Sequence, residues 1–342
     1  MSSKPHFDLI QKELDFYFRL KKNHDSLWSK RLLIWIKKIV DKNGKVRKDV
    51  LTNFRKYSTL LSEIPNSKKN YFFNLIYQFV RASGNRYSAE ETLSNFKSFS
   101  NYSNLKNSKL SLIGNPGFYY TKEGYIYNER FLRHLRNIEN IENKIINKNN
   151  PISKVVDIGG GYCQFGEMIK RKFANVKVTT VDFYEQLILG YFYLLENFPN
   201  KKICPMSKIM FAEKIDNNFI DSYDFVLIPI EYFNKIEKCD FDLLTNFSSF
   251  GEMPNAVFKE YLNSEIFKKI NFFYTVNRLD SWPDYNNGIS VIDYLVDRFQ
   301  PIHFKVSPIW TNYYVSYTSF FKPIKKSFKS RNFEFIGKNE NR

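Results

Sequence analysis

A short apolar strand that ends in an acidic residue and runs into glycines is the segment of this sequence best suited to chemistry. It reads Val-Val-Asp-Ile-Gly-Gly-Gly-Tyr and spans residues 155–162. Glycines at a strand exit let the backbone approach a ligand where any side chain would collide. The segment therefore predicts a loop that binds a nucleotide-like ligand.

The spacing of the glycines excludes two kinds of nucleotide site. A dinucleotide-binding loop needs glycines at its first, third and sixth positions, and the sixth position counted from Gly159 is Gln164. A phosphate-binding loop needs a Gly-Lys-Ser/Thr string, which does not follow here. The pattern that remains is Asp-x-Gly-x-Gly, formed by Asp157, Gly159 and Gly161.

This pattern resembles motif I of the class I S-adenosylmethionine-dependent methyltransferases. The resemblance implies S-adenosylmethionine as the cofactor and a loop made by Asp157, Gly159, Gly160, Gly161 and Tyr162. Nothing in the sequence supports a divalent metal as a further cofactor.

In that family an acidic residue at the end of the second strand binds both ribose hydroxyls, and Asp182 stands at this position. A carboxylate can accept two hydroxyl protons at once. Phe183 and Tyr184 follow it and are placed to pack on the adenine. Asn246, near the end of the fourth strand, completes the predicted cofactor site.

The elements that position these residues predict a doubly wound α/β domain over residues 151–325, with a Rossmann-like, seven-stranded methyltransferase sheet. The predicted strands are KVVDIG, VKVTTVDF, YDFVLIPI, FDLLTNF, NFFYTVN, HFKVSPIW and YYVSYTSFF, and the predicted helices are GEMIKRKF, EQLILGYFYLLENF and MPNAVFKEYLNSEIFKK. Apolar residues at helical spacing predict an all-helical region over residues 1–110. Residues 111–150 are interpreted as a connector followed by a helix from Asn128 to about Lys144, and residues 326–342 as a polar, basic tail.

Three strings in this half resemble the sugar O-methyltransferases of bacterial surface-polysaccharide gene clusters: IGGGYCQFGEMI, VDFYEQLILGYFYLLENFP and FDLLTNFSSFGEM. The likeness extends upstream to SLIGNPGFYYTKEGYIYNERFLRHL and covers roughly residues 110–300. It implies transfer of a methyl group to a sugar hydroxyl of a polysaccharide or its precursor. Departures from the family pattern occur at Cys163, Gln164 and the Phe183-Tyr184 pair.

Such a transfer needs a base beside the acceptor hydroxyl. Glu252 is the first candidate, because its loop follows the fourth strand and the carboxyl ends of strands border the ligand crevice in this topology. The alternative is that Glu252 caps the helix that begins near Pro254. His303 is the second candidate, against the alternative of a packed residue within a strand.

A loop after the fifth strand supplies Asp280, a third catalytic candidate, together with Trp282 and Asp284. The Trp282 ring could stack on a pyranose, and the two carboxylates could bind hydroxyls or a divalent metal. Arg133 belongs to a cluster of arginines that could hold an acidic sugar or phosphate, or could form an exposed basic helix face. Ser249 is the remaining predicted substrate-binding residue.

The composition bears on the cellular compartment and on the binding partners of the protein. Residues 1–150 hold 28 of the 52 Lys and Arg but 13 of the 35 Asp and Glu, which predicts an anionic acceptor and leaves peripheral contact with an anionic membrane surface open. Three cysteines with no paired spacing, and no apolar segment of spanning length, predict a cytoplasmic protein.

The positive charge of residues 1–150 favours an RNA methyltransferase as the rival function. The Asn-Phe-Ser-Ser string at residues 246–249, however, differs from the Asn/Asp-Pro-Pro-Tyr/Phe string of such enzymes. A protein that binds the cofactor without catalysis is a third reading.

Overall fold

We describe the chain from a computed structural model. The residues it describes are 6–20, 27–56, 93–94, 96–98, 100, 105–117, 119–146, 151–279, 290–308, 313–316, 324–327 and 332–339. The loop residues Asp280, Trp282 and Asp284 lie outside this part of the chain.

The helices of the described residues are α1 (Phe7–Arg19), α2 (Leu27–Ile36), α3 (Lys48–Leu51), α4 (Glu129–Lys144), α5 (Gln164–Lys172), α6 (Tyr184–Asn197), α7 (Met206–Phe211), α8 (Asn217–Asp221), α9 (Asn255–Asn263) and α10 (Glu265–Lys269). The strands are β1 (Tyr120–Lys122), β2 (Tyr125–Tyr127), β3 (Lys154–Ile158), β4 (Lys177–Asp182), β5 (Ile203–Cys204), β6 (Phe225–Pro229), β7 (Leu243–Phe247), β8 (Phe272–Arg278), β9 (Gln300–Val306), β10 (Tyr313–Ser316), β11 (Ile324–Ser327) and β12 (Asn332–Lys338).

One sheet of eight strands forms the centre of the fold, in the order β5-β6-β4-β3-β7-β8-β12-β9. Its strands are parallel except β12, which pairs antiparallel with both β8 and β9. The chain moves from β3 to β4 on one side and returns to β7 on the other, so the strand order reverses at β3. In open α/β sheets ligands bind at the carboxyl ends of the strands at such a reversal.

The middle strands are buried on both faces, which explains their nearly continuous apolar sequences. One face packs against α4, α5 and α6 together with the N-terminal helices, and the other packs against α9, α10 and the short helices that precede them. This two-sided cover confirms the predicted α/β architecture with a mostly parallel sheet. The number of strands is eight rather than seven, because the two-residue strand β5 extends one edge.

The prediction of a polar tail over residues 326–342 is wrong for residues 332–338. These residues form β12, which lies between β8 and β9 and buries Phe333, Phe335 and Ile336. The predicted strand YYVSYTSFF is also misplaced, because its first residues form β10, which pairs with β11 in a separate two-stranded sheet. The predicted helix over residues 253–269 is two helices, since Ser264 begins α10 by accepting the Phe267 N–H.

The N-terminal region is helical in α1, α2 and α3, but it is not all-helical, because Val40 and Val46 form an isolated β-bridge. The connector contains the β1–β2 hairpin. Residues 57–92 of the predicted helical region lie outside the described residues. Within the described part of the chain, no helix is both long and apolar enough to cross a membrane.

Helix α1 is bonded to the α/β half of the chain through a buried carboxylate. Glu13 Oε2 accepts hydrogen bonds from the Tyr184 hydroxyl at 2.8 Å and from the Ser207 N–H at 3.0 Å. One turn later, the Tyr17 hydroxyl donates to Glu185 Oε1 at 2.6 Å. These contacts fix α1 beside the start of α6, which directly follows Asp182.

Candidate cofactor site

The backbone of the glycine loop between β3 and α5 leaves no room for a side chain at two of its three glycines. A Cβ atom on Gly159, whose φ is +74°, would collide with the side chain of Ser249. A Cβ on Gly160 would lie 2.5 Å from Asp157 Oδ2. Gly161 has a φ of +58°, and of the residues that the structure describes a Cβ there would meet only Arg130, whose Nη2 lies at 3.6 Å. The Gly159 and Gly160 positions are therefore closed by the protein itself, whereas Gly161 has an open face.

Asp182 lies at the end of β4 and faces this loop. Its Oδ2 accepts the Gly161 N–H at 2.7 Å, and its Oδ1 accepts the Phe183 N–H at 2.7 Å. Burial raises the pKa of this carboxyl to about 6, and the two backbone N–H groups oppose that rise. A carboxylate has about four acceptor positions, so two remain after these bonds are made. Asp182 therefore lies against the glycine loop, and its contact with the ribose stays a prediction.

Asp157, at the end of β3, is buried beneath the loop. Its Oδ1 accepts a hydrogen bond from Thr245 Oγ1 at 2.7 Å, while no group among the described residues bonds to its Oδ2. Burial raises the pKa of Asp157 to about 7, against the Thr245 bond, and the negative charge of Asp182 adds to the rise. The loop therefore rests on two carboxyl groups whose negative charge is not fully compensated by the protein.

We expect Asp157→Asn to stabilise the protein at pH 8. The pKa of Asp157 is raised from 3.8 to about 7 in the folded state. Its contribution to the free energy of folding is therefore fully present below about pH 4 and is lost as the pH rises to about 7. At about 1.4 kcal/mol per pKa unit the loss is of the order of 4 kcal/mol. Asparagine keeps an acceptor for Thr245 and carries no charge. Urea unfolding at pH 5 and pH 8 measures the difference, and equal pH dependence in the two proteins would contradict the expectation.

Tyr162 and Phe183 are held differently. Tyr162 is buried under the loop, where its hydroxyl donates to Gln164 Oε1 at 2.6 Å. Phe183 is half-buried at the start of α6. Tyr184, by contrast, is fully buried and bonds to Glu13 of α1, so the expectation that it packs on the adenine is wrong.

The end of β7 adjoins the glycine loop through Asn246 and Ser249. Asn246 Nδ2 donates to the Ile158 carbonyl at 2.8 Å and to Ser249 Oγ at 2.5 Å, and its Oδ1 accepts from Asn277 Nδ2 at 2.8 Å. Because protein groups occupy the polar atoms of this buried side chain, the geometry gives Asn246 the role of joining the ends of β3, β7 and β8. Its direct contact with a cofactor, and that of Ser249 with a substrate, stay predictions.

Glu252 lies in a short 3₁₀-helix, Phe250–Glu252, on the loop that follows β7. It is half-buried, and its Oε1 lies 3.8 Å from Nη2 of Arg278, at the end of β8. Helix α9 begins after Pro254, which makes no side-chain cap hydrogen bond. The capping alternative for Glu252 stays a prediction. The structure places this carboxylate at the carboxyl edge of the sheet.

His303 does not join this group. It lies on β9, and its Nε2 is 3.1 Å from Oε2 of the buried Glu334 on β12. Glu334 also accepts hydrogen bonds from Asn140 Nδ2 at 3.3 Å and Ser307 Oγ at 3.2 Å. Four strand spacings separate β9 from β3, which amounts to about 19 Å. The alternative of a packed strand residue therefore fits His303, and the prediction of a catalytic base there is wrong.

Two residues of α4 lie near the glycine loop, a position that the sequence analysis did not predict for them. Arg130 stacks over the Tyr162 ring, 4.9 Å from its centroid, and His134 is buried between Phe165 and Phe247. Arg133 is half-buried on the same helix, so these arginines do not form an exposed basic face. Burial lowers the pKa of Arg133, Glu129 opposes this, and the charge of Arg130 lowers it further.

The sequence places Arg130, Arg133 and His134 at helical spacing just upstream of the motif I strand, but it does not show that this turn of the helix meets the glycine loop. Among the described residues, no group of three or more His, Cys, Asp or Glu side chains could hold a metal ion.

No family model and no curated protein matches the chain. The chain is similar in structure to the methyltransferase domain of a bacterial CtHen1, at 10% identity over 62% of this chain and 100% of that one, with a TM-score of 0.38. It is also similar to the N-methyltransferase NodS from Bradyrhizobium japonicum in complex with S-adenosyl-L-homocysteine, at 9% identity over 61% and 86% of the chains and a TM-score of 0.35. A third similar structure is precorrin-6y C5,15-methyltransferase from Geobacter metallireducens, at 8% identity over 65% and 94% of the chains and a TM-score of 0.36. Likenesses of this size do not bear on the substrate or the reacting atom.

Proposed function

We propose that this protein is an S-adenosylmethionine-dependent O-methyltransferase that acts on a sugar hydroxyl. The observation that carries the cofactor assignment is Asp182, whose carboxylate accepts the Gly161 N–H at the strand-order reversal and keeps two acceptor positions after its two backbone bonds. The sheet supports it, because seven of its eight strands are parallel and the strand order reverses at β3, beside the glycine loop.

The residues around the loop fit the chemistry of this cofactor. Its ribose offers two hydroxyl donors, which match the two remaining acceptor positions of Asp182. Its sulfonium and ammonium groups are cationic, and the two buried carboxyl groups, Asp157 and Asp182, create a negative potential below the loop. When bound, the cofactor supplies an electrophilic methyl group.

The protein would contribute position and proton removal. Glu252 and Ser249 lie on the loop that follows β7, and Ser249 packs against Gly159, so this loop and the glycine loop border one crevice. We assign Glu252 as the base that accepts the proton of the acceptor hydroxyl as the new bond to carbon forms. Arg278 Nη2 lies 3.8 Å from Glu252 Oε1 and places a positive charge beside this carboxylate.

The choice of a sugar acceptor rests on the Asn246, Ser249 and Glu252 string and on the other segments that resemble sugar O-methyltransferases. The excess of Lys and Arg in residues 1–150 favours an anionic glycan or a precursor attached to an anionic carrier. Calorimetry with S-adenosyl-L-homocysteine, followed by mass spectrometry of candidate glycans and RNA incubated with S-adenosylmethionine, tests the proposal. A gain of one methyl group on RNA and on no glycan would replace the sugar acceptor with nucleic acid.

We expect Glu252→Gln to lower kcat by roughly 10²- to 10⁴-fold, because a glutamine amide cannot accept the hydroxyl proton. The affinity for S-adenosyl-L-homocysteine should stay within about twofold of wild type, since Glu252 does not contact the ribose site. Glu265→Gln is the matched control, as this exposed glutamate pairs with Lys268 on α10. Equal kcat values for the Glu252 variant and the control would remove Glu252 as the base.

A further inference from the structure

Arg130 stands at the open face of the glycine loop. It is the second residue of α4, whose first turn is fixed by Asn128 Oδ1, which accepts the Phe131 N–H at 2.9 Å. Its guanidinium stacks on the Tyr162 ring, 4.9 Å from the centroid. Among the described residues, Arg130 Nη2 is also the only group within 4 Å of the position a Cβ of Gly161 would occupy. Arg130 and the backbone of Gly161 therefore border the same space.

Among the described residues, the Arg130 guanidinium makes no hydrogen bond, and no carboxylate oxygen lies within 4 Å of it. Arg55, whose guanidinium lies 5.3 Å from the centroid of the same Tyr162 ring, provides a contrast. It donates to the carbonyls of Ser111 at 2.6 Å and Ile113 at 2.9 Å. The five donors of this half-buried guanidinium are open to solvent. A ligand that offers acceptors beside Gly161 would meet donors already held in place on the Tyr162 ring.

The charge of that ligand group follows from the neighbours. Arg133 lies one turn further along α4 and adds a second positive charge, with Glu129 as the acidic group that opposes it. The carboxylate of Asp182 is directed to the N–H groups of Gly161 and Phe183. An anionic group beside Gly161 would thus be attracted by two arginines, and the planar fork of a guanidinium fits a carboxylate with two parallel hydrogen bonds.

We propose that Arg130 binds the carboxylate of the cofactor's amino-acid tail, an inference that rests on the proposed function. With the ribose at Asp182, the tail must extend along the glycine loop, and Asp182 and Arg130 both adjoin Gly161. The zwitterionic tail then lies between a positive side chain and the negative potential of Asp157 below the loop. Arg130 acts in binding and orientation and takes no part in proton transfer.

The test is a cycle of two ligands and two proteins, measured by calorimetry. The ligands are S-adenosylmethionine and its decarboxylated analogue, which differ in the carboxylate alone, and the proteins are wild type and Arg130→Met. Wild type should bind the complete cofactor roughly 10- to 100-fold more tightly, as expected for charge-assisted paired hydrogen bonds. In Arg130→Met the two ligands should bind within about threefold of each other. The carboxylate of the complete cofactor has then lost its partner, and the analogue has no carboxylate to lose.

Two further variants keep the test decisive. Arg171→Met removes a half-exposed arginine of α5 that pairs with Glu167, and it should retain the wild-type preference for the carboxylate. Arg130→Lys keeps the charge without the fork and should show an intermediate preference, which serves if Arg130→Met fails to fold. A preference that survives in both Arg130 variants would overturn this inference alone. Failure of the wild type to bind either ligand would overturn the proposed function and this inference together.

Discussion

Asp182→Ala should lower the affinity for S-adenosyl-L-homocysteine by at least about 100-fold, because each hydrogen bond to a charged group contributes about 1.5–3 kcal/mol and two ribose hydroxyls lose their acceptor. The substitution also removes the acceptor of the Gly161 N–H, so the glycine loop loses the bond that holds it against β4. Calorimetry at pH 8, well above the Asp182 pKa of about 6, compares the variant with the ionised wild type.

Asp242→Asn is the matched control for this experiment. Asp242 Oδ2 accepts the Ser153 N–H at 2.8 Å and the Lys154 N–H at 2.9 Å, at the amino end of β3, so it resembles Asp182 in its bonding but lies at the opposite edge of the sheet. Its replacement should leave the affinity within about twofold of wild type. Binding by Asp182→Ala at the strength of this control would remove the ribose assignment.

A chain that ends at residue 331 should not fold. It lacks β12, and with it the buried side chains of Phe333, Phe335 and Ile336. Each contributes about 1.5–3 kcal/mol through burial, so their sum approaches the 5–15 kcal/mol by which whole domains are stable. The loss also leaves β8 and β9 without the strand that pairs with both. Thermal melting followed by circular dichroism measures the effect as loss of a cooperative transition.

A chain that ends at Asn339 is the control for the shorter one. Asn339 closes the strand, since its N–H donates to the Asn271 carbonyl at 3.0 Å and its Nδ2 donates to the Lys268 carbonyl at 2.9 Å. This chain should melt within about 2 °C of the full-length protein, because the removed residues follow the last ladder contact. If the chain ending at residue 331 also melted cooperatively near the full-length temperature, the integral role of β12 would be refuted.

The parallel core of the fold could be predicted because its signals are local. Strands β3, β4, β6, β7 and β8 are short apolar runs, and α4, α5 and α6 show helical spacing of apolar residues. The glycine loop and Asp182 could be found for the same reason, since a strand exit and the end of the next parallel strand meet at one edge.

Strand β12 could not be predicted in this way, because its sequence places a glutamate between two phenylalanines in a basic segment. Glu334 is tolerated in the buried sheet because His303 and Ser307, at β9, and Asn140, on α4, bond to it. Tyr184 was misplaced for a similar reason, as its partner Glu13 lies 171 residues away. Pairings of this kind are set by tertiary structure and leave no local pattern.

The position of β12 inside the sheet has a consequence for biosynthesis. A ribosome makes β8 well before β12, so β8 emerges with one edge unpaired and β9 emerges with no neighbour in the sheet. The central sheet is complete only after residue 338 has left the ribosome. Until then the exposed strand edge is open to pairing with other nascent chains. Chaperone demand during translation should therefore persist until β12 has emerged.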